Sequence, residues 1–249
     1  MDDDLGTLAE RYHVESGNLS ALRPFLRAAR GQELASEPPA APSIGRAPIL
    51  LPSRDAPARV AFEEVIVRRR SVRSFADRWL RASALGALCR LANGIPRGSE
   101  SWRRSAPSSG ALGSIDLFPM VLEGRGFPAG IYRYCPAEHG LEVVRAGDFR
   151  AWLRERVLLQ PELARAPLVL ALACDFQRLS ERYGPRGYRL GLLDAGHVSE
   201  NLQLAAVALG LGSCAVGGYV DQEIDQALGL DGIGRASVLL VVVGYPAAD

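Results

Sequence analysis

Between Arg189 and Leu209, apolar or small residues recur at Ala195, Val198, Leu202, Ala205 and Leu209, while Leu193, Leu204 and Ala208 line a second side. That three-to-four spacing predicts a helix, and two apolar sides predict one buried nearly all round, in a core or at a subunit interface. Asp194, His197, Glu200 and Asn201 interrupt the stretch and would be costly in lipid, which excludes a membrane span. The helix runs into GLGSCAVGG, read as a glycine-rich turn ending at Gly217-Gly218. Upstream, Ala61–Arg70 and Ala82–Asn93 read as helices, the second closed by Gly94, and Leu117–Glu123 as a strand. Ile131–Tyr134 and Leu141–Val144 alternate across PAEHG as a hairpin, and Asp148–Leu159 reads as a helix with Asp148 as its cap. Pro167–Cys174 and Ser237–Gly244 are continuous apolar runs suited to central strands buried on both faces. These elements predict an α+β layered domain over residues 58–249. Residues 1–57 contain EPPAAPSIGRAPILLPSRDAP, whose prolines predict an arm or linker without a regular core element.

Composition narrows the function. The chain has 249 residues, 48% of them hydrophobic and 23% charged, and a net charge of +1. That is ordinary for one globular domain, and it provides no general field for nucleic acid or an anionic membrane. The opening Met-Asp-Asp-Asp has neither the basic region nor the apolar stretch of a secretory signal, so a cytoplasmic protein is expected. Cys89, Cys135, Cys174 and Cys214 are widely spaced in or beside apolar runs, which predicts free buried thiols. All 29 basic residues are Arg. The absence of Lys excludes a P-loop lysine, a Schiff-base lysine and a Ser-Lys pair, and leaves any phosphate to Arg, hydroxyls and backbone N–H groups.

Candidate chemistry is sparse. The glycines at 210, 212 and 217 miss the dinucleotide-binding spacing and follow a helix where that fingerprint follows a strand. His13, His139 and His197 have no partner at metal-ligand spacing, and no G-x-S-x-G elbow is present. What remains is RRRSVRSF, Arg68 to Phe75, where Arg69, Arg70, Arg73 and the Ser71 hydroxyl could grip a phosphate monoester or form a solvated helix end. PSSG, Pro107 to Gly110, adds two hydroxyls and backbone N–H groups in a turn.

The order RRRSVRSF, PSSGAL, RYGPRGYRLGLLDAGHVSENLQLAAVALGLGSCAVGGY and VVVGYP resembles the flavin-dependent nitroreductase superfamily over about residues 60–246. Within it, the chain is most similar to the SagB-type, thiazole/oxazole-forming dehydrogenases, and the early YHVES is similar to their leading segment. The resemblance implies a nitroreductase-like fold, a mixed or antiparallel sheet surrounded by helices, with the long helix at a homodimer interface. It implies FMN, with Arg69, Arg70 and Ser71 at the phosphate and ribityl chain and Arg73 toward the N1/O2 edge. Ser108, Ser109 and Gly110 would reach FMN from the neighbouring subunit, and Val216, Gly217 and Gly218 would lie along the ring. A Lys-Tyr pair in the family corresponds here to Arg182-Tyr183, so Tyr183 is the candidate base and Arg182 its electrostatic support. The chain departs from the pattern in having Gly113-Ser114 where the subfamily often has His-Pro, and in ending GYPAAD without further basic ligands. The implied reaction is oxidation of a peptide azoline to an azole with dioxygen as final acceptor, beside a cyclodehydratase or carrier-protein partner. An NAD(P)H-dependent nitro- or quinone-reductase, or a flavin-binding scaffold subunit, are the alternatives.

Overall fold

A computed structural model of the chain describes residues 48–52, 60–96, 98–99 and 103–247. Most of the expected arm lies outside them. The strands are β1 (Ile49–Leu50), β2 (Leu80–Arg81), β3 (Ile115–Val121), β4 (Gly124–Arg125), β5 (Gly130–Cys135), β6 (Gly140–Ala146), β7 (Leu168–Asp175), β8 (Gly212–Val216) and β9 (Arg235–Gly244). The helices are α1 (Phe62–Arg68), α2 (Ala82–Asn93), α3 (Phe176–Tyr183), α4 (Arg186–Ala208) and α5 (Asp221–Leu228). Seven strands form one sheet in the order β1-β6-β5-β3-β7-β9-β8, every neighbouring pair antiparallel, while β2 and β4 form a separate parallel pair.

The two apolar runs lie at the centre of this sheet, as their composition requires. Leu168, Leu170 and Leu172 of β7 pack on one side with Leu85, Leu88, Val198 and Leu202, and Val169, Ala171 and Ala173 pack on the other with Phe149, Trp152 and Ile224. The alternation of side chains along a strand therefore divides the core into two layers, α2 and α4 over one face, α5 and the 149–164 segment over the other.

Three expectations are corrected by this arrangement. Ile49-Leu50 pair with Leu141-Gly140 and Leu51 is buried, so the proline-rich stretch does supply an edge strand: Pro48 and Pro52 flank it without interrupting it. Asp148–Leu159 is a short α-turn, Arg150–Trp152, widening into a π-turn, Leu153–Val157, which seats Trp152, Leu153 and Val157 together in the core. Asp148 still accepts the Arg150 N–H at 2.9 Å. Gly212–Val216 of the supposed turn is a strand, held by five residue pairs to β9. Within the protomer, α4 is buried on one side, and Leu192, Leu193, Gly196 and His197 lie on its uncovered side. Its apolar positions outnumber those its own core can cover. All four cysteines are free and buried, and burial pushes the Cys135 thiol up to about 11.

Candidate functional site

α1 stops at Arg68 because Arg69 turns to extended geometry, and the chain from Arg69 then runs beside the free edge of β8. Ser71 bridges Ser213 in parallel, and the Val72 N–H donates to the Ser213 carbonyl at 2.9 Å. Further along, the Ala76 N–H donates to the Tyr245 carbonyl, also at 2.9 Å, and Phe75 bridges Pro246. These bonds leave Arg70, Ser71 and Arg73 on the exposed side of the strip. Arg69 is half-buried and reaches Gln203 Oε1 at 3.5 Å and Glu200 at 3.8 Å. Among the described residues, no carboxylate pairs with Arg70 or Arg73. The strip therefore carries uncompensated cationic donors suited to an anionic ligand.

At the far end of β8, Val216 is buried and Gly217 is exposed, with nothing within 4 Å of where a Cβ would stand. The Gly218 carbonyl accepts the Leu159 N–H at 3.0 Å, which ties the turn to the 149–164 segment. Ser213 and Gly217 are four strand residues apart, roughly 13 Å. An extended ligand along this edge would meet the arginines at one end and open glycine backbone at the other.

A second cluster forms around the Ser108–Gly110 turn. Asp194, in the N-terminal half of α4 and only 3% exposed, accepts the Ser109 N–H at 3.0 and 3.1 Å. It also accepts the hydroxyls of Ser109 at 2.9 Å, Ser114 at 2.9 Å and Ser108 at 3.4 Å. Gly110 follows with φ of 60°, and its Cα faces the Tyr183 hydroxyl and the Arg182 guanidinium. The Arg182 Cζ stands 5.7 Å from the centre of the Tyr183 ring. Arg178 donates to the Leu112 and Gly113 carbonyls at 3.2 and 3.5 Å. The structure thus brings PSSG and Arg182-Tyr183 together within one protomer.

It does not bring these residues to Arg69–Arg73. Asp194 and Gln203 mark the two clusters on α4, nine residues or roughly 13 Å apart along the axis. In the sequence Asp194 is visible only as a break in an apolar stretch. A lone carboxylate on the buried side of a helix was the available signal, because such a group requires several donors.

The donor set and open backbone fit a flavin mononucleotide, with cations for a phosphate and a glycine against which a flat ring can lie. A nitroreductase-family model matches residues 66–245. The chain belongs to the nitroreductase family. Family membership implies an oxidoreductase and accounts for the antiparallel sheet flanked by helices. The Methanocaldococcus jannaschii protein MJ1384, named as a nitroreductase, is 32% identical over 68% of this chain and 84% of its own length. The trifolitoxin-processing protein TfxB of Rhizobium leguminosarum is 32% identical, and the microcin B17-processing protein McbC of Escherichia coli 30% identical, each over 53% of this chain. This nitroreductase-family chain spans 37% of TfxB and 50% of McbC. The fold also superposes on a chain of the E. coli microcin synthetase McbBCD complex with truncated pro-MccB17 bound. There the TM-score is 0.71 at 22% identity, covering 100% of this chain and 95% of that one.

Proposed function

We propose that the protein is an FMN-dependent dehydrogenase that oxidises thiazolines or oxazolines in a peptide to the aromatic azoles. The observation that carries this reading is the closure of Arg182-Tyr183 on the Ser108–Gly110 turn, which puts the candidate base beside residues expected to contact FMN. Relatives that process microcin B17 and trifolitoxin support it. Arg69, Arg70 and Ser71 would hold the FMN phosphate and ribityl chain, with Arg73 near the N1/O2 edge and Val216-Gly217-Gly218 along the ring. Ser108, Ser109 and Gly110 would contact FMN bound chiefly by the partner subunit, which makes a homodimer the working unit. When bound, FMN supplies the hydride acceptor, and dioxygen is the acceptor that follows.

Tyr183 removes the azoline Cα proton as its phenolate, and the hydrogen on Cβ leaves as hydride, so the substrate loses two hydrogens. Arg182 stays charged and cannot itself act as the base; it offsets the phenolate charge from beside the ring. Arg73, charged at any physiological pH, would favour electron density at the N1/O2 edge of a bound flavin. A cyclodehydratase or a carrier protein would deliver the peptide.

The length of chain shared with the nitroreductase MJ1384 favours one other reading, an NAD(P)H-dependent nitro- or quinone-reductase. The deciding experiment mixes purified, flavin-loaded protein with a synthetic thiazoline peptide in air, without nicotinamide. The expected result is a mass loss of about 2 Da with oxygen consumption, from removal of two hydrogens. Inertness toward azolines together with rapid NADPH-dependent turnover of nitroarenes would transfer the assignment to the reductase.

A further inference from the structure

We propose that Asp194 is a positioning residue that sets the hydrogen-bonding polarity of the Ser108–Gly110 turn, and so the part of the flavin that the turn can recognise. This rests on the FMN reading above. A carboxylate only accepts, so the three hydroxyls at Asp194 must each donate to it. Ser108 Oγ additionally accepts the Gly113 N–H at 2.8 Å, and the Ser109 N–H is spent on Asp194. The Ala111 and Leu112 N–H groups close the turn onto the Ser108 and Ser109 carbonyls, at 2.9 and 3.2 Å. With both serine hydroxyl protons committed, the side chains of the turn can only accept, through the remaining lone pairs on Ser108 Oγ and Ser109 Oγ, and its remaining donors are backbone N–H groups, of which that of Gly110 is on the exposed residue.

Two serines and a glycine near an FMN site suggest a phosphate cradle, but a phosphate needs donors and the serine protons are committed elsewhere. The turn instead suits a ligand group that donates to Ser109 Oγ and accepts from Gly110, such as a ribityl hydroxyl or an imide edge of the ring. The phosphate is left to Arg69 and its neighbours. Asp194 also fixes Gly110 against the Tyr183 hydroxyl, so the carboxylate acts on both groups without touching either ligand.

The test is flavin affinity measured by fluorescence quenching, with FMN and riboflavin as probes, because riboflavin has the ring and ribityl chain but no phosphate. Asp194→Asn retains the volume but puts an NH2 group toward hydroxyls that must donate. Asp194→Asn and Ser109→Ala should each weaken both flavins by about tenfold and by the same factor, whereas Arg69→Ala should weaken FMN at least tenfold and riboflavin far less. The double variant Asp194→Asn/Ser109→Ala should bind no worse than the weaker single, as expected if Asp194 acts through Ser109. Ser114→Ala removes a donor from the same carboxylate on the core side. It should lower Tm while leaving both affinities unchanged, which separates positioning from bulk stability. Folded Asp194→Asn or Ser109→Ala with wild-type affinity for both flavins would overturn the proposal while leaving the FMN assignment intact. A loss confined to FMN would return the serines to the phosphate and also overturn it. A wild type that binds neither flavin would sink the parent reading together with this one.

Discussion

At Gly110 a side chain is excluded twice, by a φ of 60° and by the Tyr183 hydroxyl lying where the Cβ would stand. Gly110→Ala should therefore fold with Tyr183 displaced, slowing azoline oxidation while the protein retains flavin through Arg69–Arg73. Tyr183→Phe isolates the chemistry: flavin content and Tm should be unchanged, and kcat for azoline oxidation should fall about 10²–10⁴-fold, the range for loss of a general base. Unaltered turnover in Tyr183→Phe would remove the tyrosine from the reaction. On the opposite face, burial, with the nearby Asp225 charge adding to it, pushes the Asp221 carboxyl up to about 7. A carboxyl whose folded pKa is raised contributes stability below its unfolded value near 4, and that contribution is lost as pH rises toward 7. Asp221→Asn should then be close to neutral for stability at pH 4 and stabilising at pH 8. Solvent access to a group of this exposure holds the gain to about 1–2 kcal/mol in denaturant titrations at the two pH values.

At the scale of elements, α3 and α4 form the hinge of the candidate site, because their junction at Gly184-Pro185 places Arg182-Tyr183. They approach closely through glycines. A Cβ on Gly187 would stand 2.7 Å from the Leu179 backbone, and one on Gly191 would stand 2.5 Å from Cys174 Sγ. Gly187→Ala has rigid backbone in its way and should cost about 1–3 kcal/mol by overpacking, moving Tyr183 as α3 is pushed off. Denaturant midpoints alongside kcat would show both effects. Periodicity made α4 and the hairpin legible, the unbroken apolar runs made β7 and β9 legible as strands buried on both faces, and Gly94 marked the end of α2. Periodicity missed β8, whose small residues and glycines carry no alternation and which is a strand because β9 lies beside it. It misread 148–159, where the core contact of Trp152 with Leu153 and Val157 prevailed over local helix geometry. The motif residues were legible as chemistry, but their grouping was not. Asp194 takes donors 80 to 86 residues away in the chain, and no local pattern encodes such a distance.

For the whole molecule, the two clusters on α4 raise a question that one protomer leaves open: how residues roughly 13 Å apart along a helix could serve one flavin. The exposed side of α4 carries Leu192 and Leu193, 41% and 61% exposed, beside Gly196, which has nothing within 4 Å of a Cβ position. Phe62 and Val67 of α1 are also exposed, at 74% and 78%. An antiparallel pair of α4 helices about a two-fold axis, with Leu193 over the partner's Gly196, places residues whose numbers sum to 389 opposite one another. Arg189 would then lie opposite Glu200 of the second protomer, and within a protomer Glu200 stands 3.8 Å from Arg69. That register would carry the arginine strip of one subunit toward the α3–α4 junction of the other, where Tyr183 and the PSSG turn lie. Leu202 is fully buried in its own protomer and is no probe of this interface, but Gly196 is. In an isolated protomer, Gly196→Leu meets no atoms and exchanges glycine for a strong helix former, a gain of up to about 1 kcal/mol. In a dimer of this register it would fill the space that Leu193 of the second protomer needs. Size-exclusion chromatography with light scattering should find the wild type dimeric and flavin-bound, and Gly196→Leu monomeric, folded and depleted of FMN. A variant that remains dimeric with full flavin content, or a wild-type monomer that retains FMN, would require one protomer to complete the site alone.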